Sequence, residues 1–187
     1  MREIEIKLKA PNIEAVVAKL LELGATISKP VTQTDINFVH KDDVKWFEPL
    51  IGLWAYPRLR IQDGEPLILT VKKPLKNEMD RAEYELCIDD ADQLRGMMTL
   101  LGYQEGVTVR KTRRTCTLDT YNITLDQVDQ LGSFIEIEQV VDDSVSDEKA
   151  LGIQEEMCNF AKDTFGLERD TMTMRGYDIM LHYKLML

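Results

Sequence analysis

The chain has 187 residues, 44% of them apolar and 30% charged, with a formal net charge of -10. That length suits one well-filled domain, and the acidic balance argues against a nucleic-acid-binding surface while leaving room for a local basic pocket. No apolar run reaches the ~20 residues of a membrane span, no signal-peptide pattern opens the chain, and Cys87, Cys116 and Cys158 are widely spaced. The expectation is a single domain over residues 1–187, cytoplasmic, with reduced and packed thiols and no nucleic-acid or membrane partner.

The first strand candidate is Glu3-Ile4-Glu5-Ile6-Lys7, in which charged and aliphatic residues alternate. Asn12 can cap a helix with Ile13, Val16, Val17, Leu20 and Leu21 on one stripe, stopped by Gly24. A strand follows near Thr32 to Val39. Residues 41–57 hold Trp46, Phe47, Trp54 and Tyr56 among two prolines and a glycine, and read as an irregular loop or flap. Strands are expected at Arg58 to Ile61 and Leu67 to Lys73 around an Asp63-Gly64 turn, then a polar loop from Pro74 to Asp80, then a strand from Ala82 to Ile88. A helix over Asp90 to Leu101 ends at Gly102. Strands over Val107 to Leu118, Asn122 to Val128 and Ser133 to Val141 come next. The closing third reads as helix over Asp147 to Phe165, ended by Gly166, and over about Met174 to Leu185. Leu151, Met157, Cys158, Phe160 and Ala161 give the longer helix an apolar face suited to covering a sheet.

Successive strand side chains point to opposite faces. Sorted that way, Arg58 and Arg60 share a face against Leu59 and Ile61, and Lys72 lies opposite Leu69 and Val71. Glu83 and Glu85 oppose Tyr84 and Leu86; Lys111 and Arg113 share a face; Asp126 opposes Leu125; Glu136 and Glu138 oppose Ile135 and Ile137. Two architectures use such strands. In one, charged faces meet water and apolar faces pack on helices, as in most antiparallel sheets. In the other, about eight strands close into a barrel with a charged interior and an apolar outside covered by helices. The grouping of one sign per strand favours the barrel, because like charges side by side repel unless opposite charges lie between them.

Such an interior is tolerable only if paired, wet or ligand-filled. Glu-x-Glu pairs make a hard oxygen site suited to Mg²⁺ or Mn²⁺, and clustered Arg and Lys suit phosphate oxygens. Together they imply a polyphosphate carried with a divalent metal. The Gly-x-x-x-x-Gly-Lys loop is absent, so side chains must hold the phosphates. His40 and His182, the two histidines, lie outside the charged strands and read as ordinary surface or loop residues.

The series Glu3-x-Glu5-x-Lys7, Asp35-x-x-Phe38, Arg58-Leu59-Arg60, Leu69-Thr70-Val71-Lys72 and Arg81-x-Glu83-x-Glu85 resembles the CYTH superfamily, the triphosphate tunnel metalloenzymes. The resemblance runs on through Lys111-x-Arg113-Arg114, Leu125-Asp126-x-Val128, Leu131-Gly132-x-Phe134-x-Glu136-x-Glu138 and Tyr177. It implies an α+β fold: a closed antiparallel eight-stranded β-barrel clad by helices, binding a nucleoside or other triphosphate inside. Carried over by position, Lys7, Arg58, Arg60, Lys72, Lys111 and Arg113 would grip phosphates with Arg81 in support, and Lys7, Arg58, Lys72 and Arg113 would carry the catalysis. Glu3, Glu5, Glu136 and Glu138 would be the main metal set, with Glu83, Glu85 and Asp126 as additional metal or supporting groups. Pro57 and Cys116 depart from the usual pattern, at the approach to a strand and where an aromatic residue is common. Such a clamp serves class IV adenylyl cyclases, to which the whole chain is most similar, and equally inorganic or thiamine triphosphatases. A polyphosphate-binding module without turnover and a purely structural domain are the other readings. The residues do not specify an oligomeric state; the resemblance implies that a homodimer is common.

Overall fold

The computed structural model describes residues 2–43, 55–77, 80–142 and 144–186, and of residues 74–77, 80 and 81 only the backbone. Eight strands form: β1 (Arg2–Lys9), β2 (Val31–His40), β3 (Tyr56–Gln62), β4 (Leu67–Asn77), β5 (Asp80–Ile88), β6 (Tyr103–Leu118), β7 (Tyr121–Val128) and β8 (Gly132–Val141). The helices are α1 (Ile13–Glu22), α2 (Ala91–Leu100), α3 (Asp147–Phe165) and α4 (Tyr177–Leu185). The strands close in the order β1-β5-β4-β3-β2-β6-β7-β8, with every pairing antiparallel. Closure removes sheet edges and leaves each strand one face inside and one outside.

Most outward apolar residues meet helices, whereas Tyr84 and Leu86 on the outer face of β5 are exposed. Ile4, Ile6, Leu8, Ile123, Leu125, Ile135 and Ile137 pack with Val16 and Leu20 of α1 and with Ile153, Met157 and Ala161 of α3. Ile36, Phe38 and Leu59 pack under Leu94 and Met98 of α2. The helix ends follow their caps: Asn12, Asp90 and Ser146 each accept backbone N–H groups of the first turn. Gly166 ends α3 at φ 66°, a left-handed cap open to glycine at little cost. Leu21 and Leu151, expected on the buried stripes, are exposed instead. The other four residues of the expected α1 stripe, Ile13, Val16, Val17 and Leu20, pack on the core.

Several boundaries differ from those expected, and in β3, β4 and β6 the reason is that pairing carries the strand through residues that look like breakers. Tyr56 and Pro57 belong to β3, with Pro57 opposite Val71. The expected loop over Pro74 to Asp80 is mostly strand: β4 runs on to Asn77 and β5 starts at Asp80, with a register shift after Pro74. A shift absorbs a residue that has no N–H to give. Strand β6 starts at Tyr103, four residues early, and passes Gly106 beside an irregularity in its pairing with β2. A Cβ at Gly106 would lie 3.1 Å from the Val39 side chain and 3.3 Å from the Asn37 carbonyl, so the two backbones approach closely there. Helix α4 starts at Tyr177, three residues late. Trp46, Phe47 and Trp54 lie outside the described residues. His40 packs edge-on against Tyr103, and His182 lies in α4. Cys116 and Cys158 are buried as expected, but Cys87, near the end of β5, is exposed.

Helix α4 is not cladding. Its Tyr177 and Leu181 pack with Val109, Val128 and Phe134, which share strand faces with Lys111, Asp126 and Glu136. Those are inward faces, so α4 stoppers one end of the barrel. Among the described residues, no helix is long and apolar enough to cross a membrane.

Ile123→Ala, which empties a fully buried position beneath the helices, is expected to cost about 2–5 kcal/mol of stability. Urea unfolding of the variant against the parent measures this; a loss below about 1 kcal/mol would contradict the packing described.

Candidate functional site: a charged lumen

The strand parity that turns isoleucine and leucine outward turns the charged residues in. Glu5, Lys7, Asp35, Glu83, Lys111 and Asp126 are buried, while Glu3, Arg58, Arg60, Lys72, Arg113, Glu136 and Glu138 are half-buried. Cross-strand register then places acids against bases. Lys7 stands opposite Glu136, Arg113 opposite Asp126, Arg60 opposite Asp35 and Lys72 opposite Glu83.

The contacts follow the register. Lys7 Nζ lies 3.1 Å from Glu136 and 3.6 Å from Glu5. Arg113 donates from Nε to Asp126 Oδ1 at 2.7 Å and from Nη2 to Glu136 Oε2 at 2.9 Å. Arg60 forks onto both oxygens of Asp35 at 2.8 and 3.0 Å, and Lys72 pairs with Glu83. Asp35 also holds Lys111 at 3.0 Å and Arg58 at 3.8 Å. Arg58 donates to Thr70 Oγ1 at 3.0 Å, and the Thr70 hydroxyl donates to Glu85 at 2.8 Å. Glu85 is the most exposed of the expected acids. Arg81 lies in β5 opposite Glu3, and its side chain falls outside the described residues. Arg114, next to the inward Arg113, points outward and meets Glu14 of α1 at 2.8 Å.

Burial would neutralise these groups were they alone. For Asp35 burial pushes the pKa up, but Lys111, Arg58 and Arg60 outweigh it and hold the carboxyl well below its usual range. Glu136 is likewise held low, against burial, by Lys7 and Arg113. Lys111 falls to about 8 through burial and the neighbouring Arg113. Glu3 and Glu83 share a hydrogen bond. Burial and Glu83 push Glu3 up, while Lys72 helps to hold Glu83 down, so the proton of the pair rests on Glu3.

One register pair breaks the pattern: Glu5 stands directly opposite Glu138. Like charges opposite each other are destabilising unless a cation lies between them. Gln154 of α3 is buried and donates to the Glu5 carbonyl at 3.0 Å, which fixes the strand there. Among the described residues no three His, Cys, Asp or Glu side chains gather as a ready-made metal site. Mg²⁺ does not need one, since it commonly takes one or two carboxylates and completes its shell with water and phosphate oxygens. Glu5 and Glu138 could hold Mg²⁺ or Mn²⁺ between them, with Glu3 next along β1 once it gives up the proton it shares with Glu83. Glu136, also expected in the main metal set, contacts Lys7 and Arg113.

Asp35 has no role in the expected site, although parity turns it inward with Gln33 and Asn37 and opposite Ile36 and Phe38. It is the counter-ion of three bases.

The closed antiparallel barrel thus turns six bases and a belt of carboxylates into one lumen. The CYTH domain family matches residues 1–173, and the chain belongs to it. A protein of Methanocaldococcus jannaschii named putative adenylate cyclase is 30% identical over 181 residues, 95% of this chain and 97% of that one. The solved PH1819 protein of Pyrococcus horikoshii is 26% identical with a TM-score of 0.78, covering 97% of this chain and 99% of that one. The structure of a putative adenylyl cyclase of Hippeastrum, described as having a dominant triphosphatase activity, shares the fold at 17% identity and a TM-score of 0.63 over 98% of this chain and 95% of that one.

Asp35→Asn leaves Arg58, Arg60 and Lys111 without their shared carboxylate and is expected to cost about 3–5 kcal/mol at pH 7. Because the folded-state pKa of Asp35 is depressed, its contribution is present above the unfolded value of about 3.9 and is lost as pH falls through the folded one. Unfolding curves of parent and variant should therefore converge in acid; a gap that widens below about pH 4 would contradict the assignment.

Proposed function

We propose that the lumen binds a triphosphate with Mg²⁺ or Mn²⁺ and that the protein converts ATP to cyclic AMP and pyrophosphate. The observation that supports this most is the inward set of Lys7, Arg58, Arg60, Lys72, Lys111 and Arg113, gathered around Asp35, Asp126, Glu83 and Glu136. The relative that favours the cyclase is the Methanocaldococcus jannaschii protein named putative adenylate cyclase.

Arg58, Arg60 and Lys111 form one nest of bases around Asp35; Lys7 and Arg113 form another around Glu136. Each nest is held in place by its carboxylate, which an incoming phosphate would displace. In the cyclase reaction the ribose 3′-oxygen bonds to the α-phosphorus, the α–β bridging bond breaks, and pyrophosphate leaves with the electron pair. Arginine forks and lysine ammonium groups stabilise the charge growing on that leaving group. Glu5 and Glu138, with Glu3, would hold the metal, which supplies charge neutralisation on the triphosphate and acidifies an oxygen nucleophile.

A triphosphatase is the second reading. The lumen side chains address the triphosphate itself, whichever group it carries, and the Hippeastrum relative is described by that activity. A pure binding module explains the acids less well, since an anion binder has no need of Glu5 opposite Glu138.

The deciding experiment offers ATP, tripolyphosphate and thiamine triphosphate separately, with Mg²⁺ or Mn²⁺, and identifies products. Cyclic AMP with pyrophosphate is expected; orthophosphate would replace the cyclase by a triphosphatase, and no turnover would leave only binding. Lys7→Ala and Arg58→Ala should each lower turnover at least about 100-fold, on the order of 2.7 kcal/mol of transition-state stabilisation, with the far-ultraviolet circular dichroism of the parent. Full activity in both variants would remove these residues from the site.

A further inference from the structure

Tyr177 opens α4 just beyond the residues matched by the family, 1–173. Its ring is held on three sides. Phe134 meets it edge-on at 5.1 Å, and the ammonium groups of Lys7 and Lys111 lie 4.4 and 5.4 Å from its centre. The residue is 7% exposed, and its buried hydroxyl has no hydrogen-bond partner among the described residues. The charged groups that act on it are Glu136, Asp126, Arg113 and Glu5, all lumen residues. With Phe134, Lys7 and Lys111 around the ring, the buried hydroxyl lies among lumen residues at the end that α4 stoppers.

A buried hydroxyl without a partner is costly, and Tyr usually finds one. Burial and the carboxylates raise its ionisation well above the usual tyrosine value. It thus keeps its proton and stands as a donor. The neighbouring carboxylates are already engaged: Glu136 with Lys7 and Arg113, and Asp126 with Arg113. What the position lacks is an anionic oxygen.

We propose that the Tyr177 hydroxyl donates a hydrogen bond to a phosphate oxygen of the bound triphosphate, at a subsite completed by Lys7, Lys111 and Arg113. This rests on the triphosphate reading above and adds a neutral donor to a clamp otherwise built of charges. It also gives α4 a part in the site: the helix that closes the barrel end supplies a binding group.

Tyr177→Phe tests this, because it keeps the ring against Phe134, Lys7 and Lys111 and removes one oxygen. Melting temperature is measured with no ligand, and tripolyphosphate with Mg²⁺ is titrated calorimetrically into parent and variant. The unliganded variant is expected to melt at or above the parent temperature, since an unpaired buried hydroxyl is lost. Its affinity for tripolyphosphate is expected to fall about tenfold, or about 1.4 kcal/mol. A lower melting temperature without ligand would reveal a structural partner and overturn the proposal. Equal affinities would overturn it while leaving the triphosphate reading in place. Failure of the parent itself to bind tripolyphosphate would overturn both.

Discussion

The structure depends on mutual neutralisation of acids and bases across strand register. Ionised groups inside a closed barrel have lost much of the water that would solvate them, and an uncompensated one costs several kcal/mol or more. Here Lys7 meets Glu136, Arg113 meets Asp126, Arg60 meets Asp35 and Lys72 meets Glu83, each on the strand directly alongside. Register itself is held by the same device. A one-residue slip would turn a strand's charges into the helix layer and its isoleucines into the lumen, so charge pairing and apolar burial enforce a single alignment.

The helices complete the division. α1, α2 and α3 take up most of the apolar outside, and α1 also meets the outward Arg114 through Glu14. α4 does something else, packing Tyr177 and Leu181 onto inward faces near one end. The lumen therefore has an apolar floor beside a charged wall, and Lys7 and Lys111 stand at their boundary, over the tyrosine ring. Cations lie well against an aromatic face because its quadrupole is negative there.

Much of this was legible from alternation alone. Glu3-Ile4-Glu5-Ile6-Lys7 names both faces of β1, and Glu136 with Glu138 against Ile135 and Ile137 does the same for β8. Closure is not written in any single strand, since a solvated sheet face could show the same parity; the grouping of one sign per strand pointed to it. What was illegible depends on partners distant in sequence. Pro57, Pro74 and Gly106 look like breakers, yet pairing with neighbouring strands carries β3, β4 and β6 through them. Asp35 stood among uncharged polar residues, and its importance came from three bases on β3 and β6. The plug role of α4 could not be read from its own residues, because nothing local says that Tyr177 will face inward.

The in-register pairs also have a consequence for what the lumen can take up. Among the described residues every lumen base already has a resident counter-ion tethered to a neighbouring strand, so capture of an anionic ligand would be an exchange of one anion for another, as on an ion-exchange resin. A weakly charged guest offers too little to displace several carboxylates from Arg60, Lys72, Lys111 and Arg113 together. A guest with many charges along one short chain competes at several bases at once, with the entropy of association lost only once. For such a guest the tethered acids would act as a threshold of charge density, set by the scaffold before any recognition of its remaining atoms.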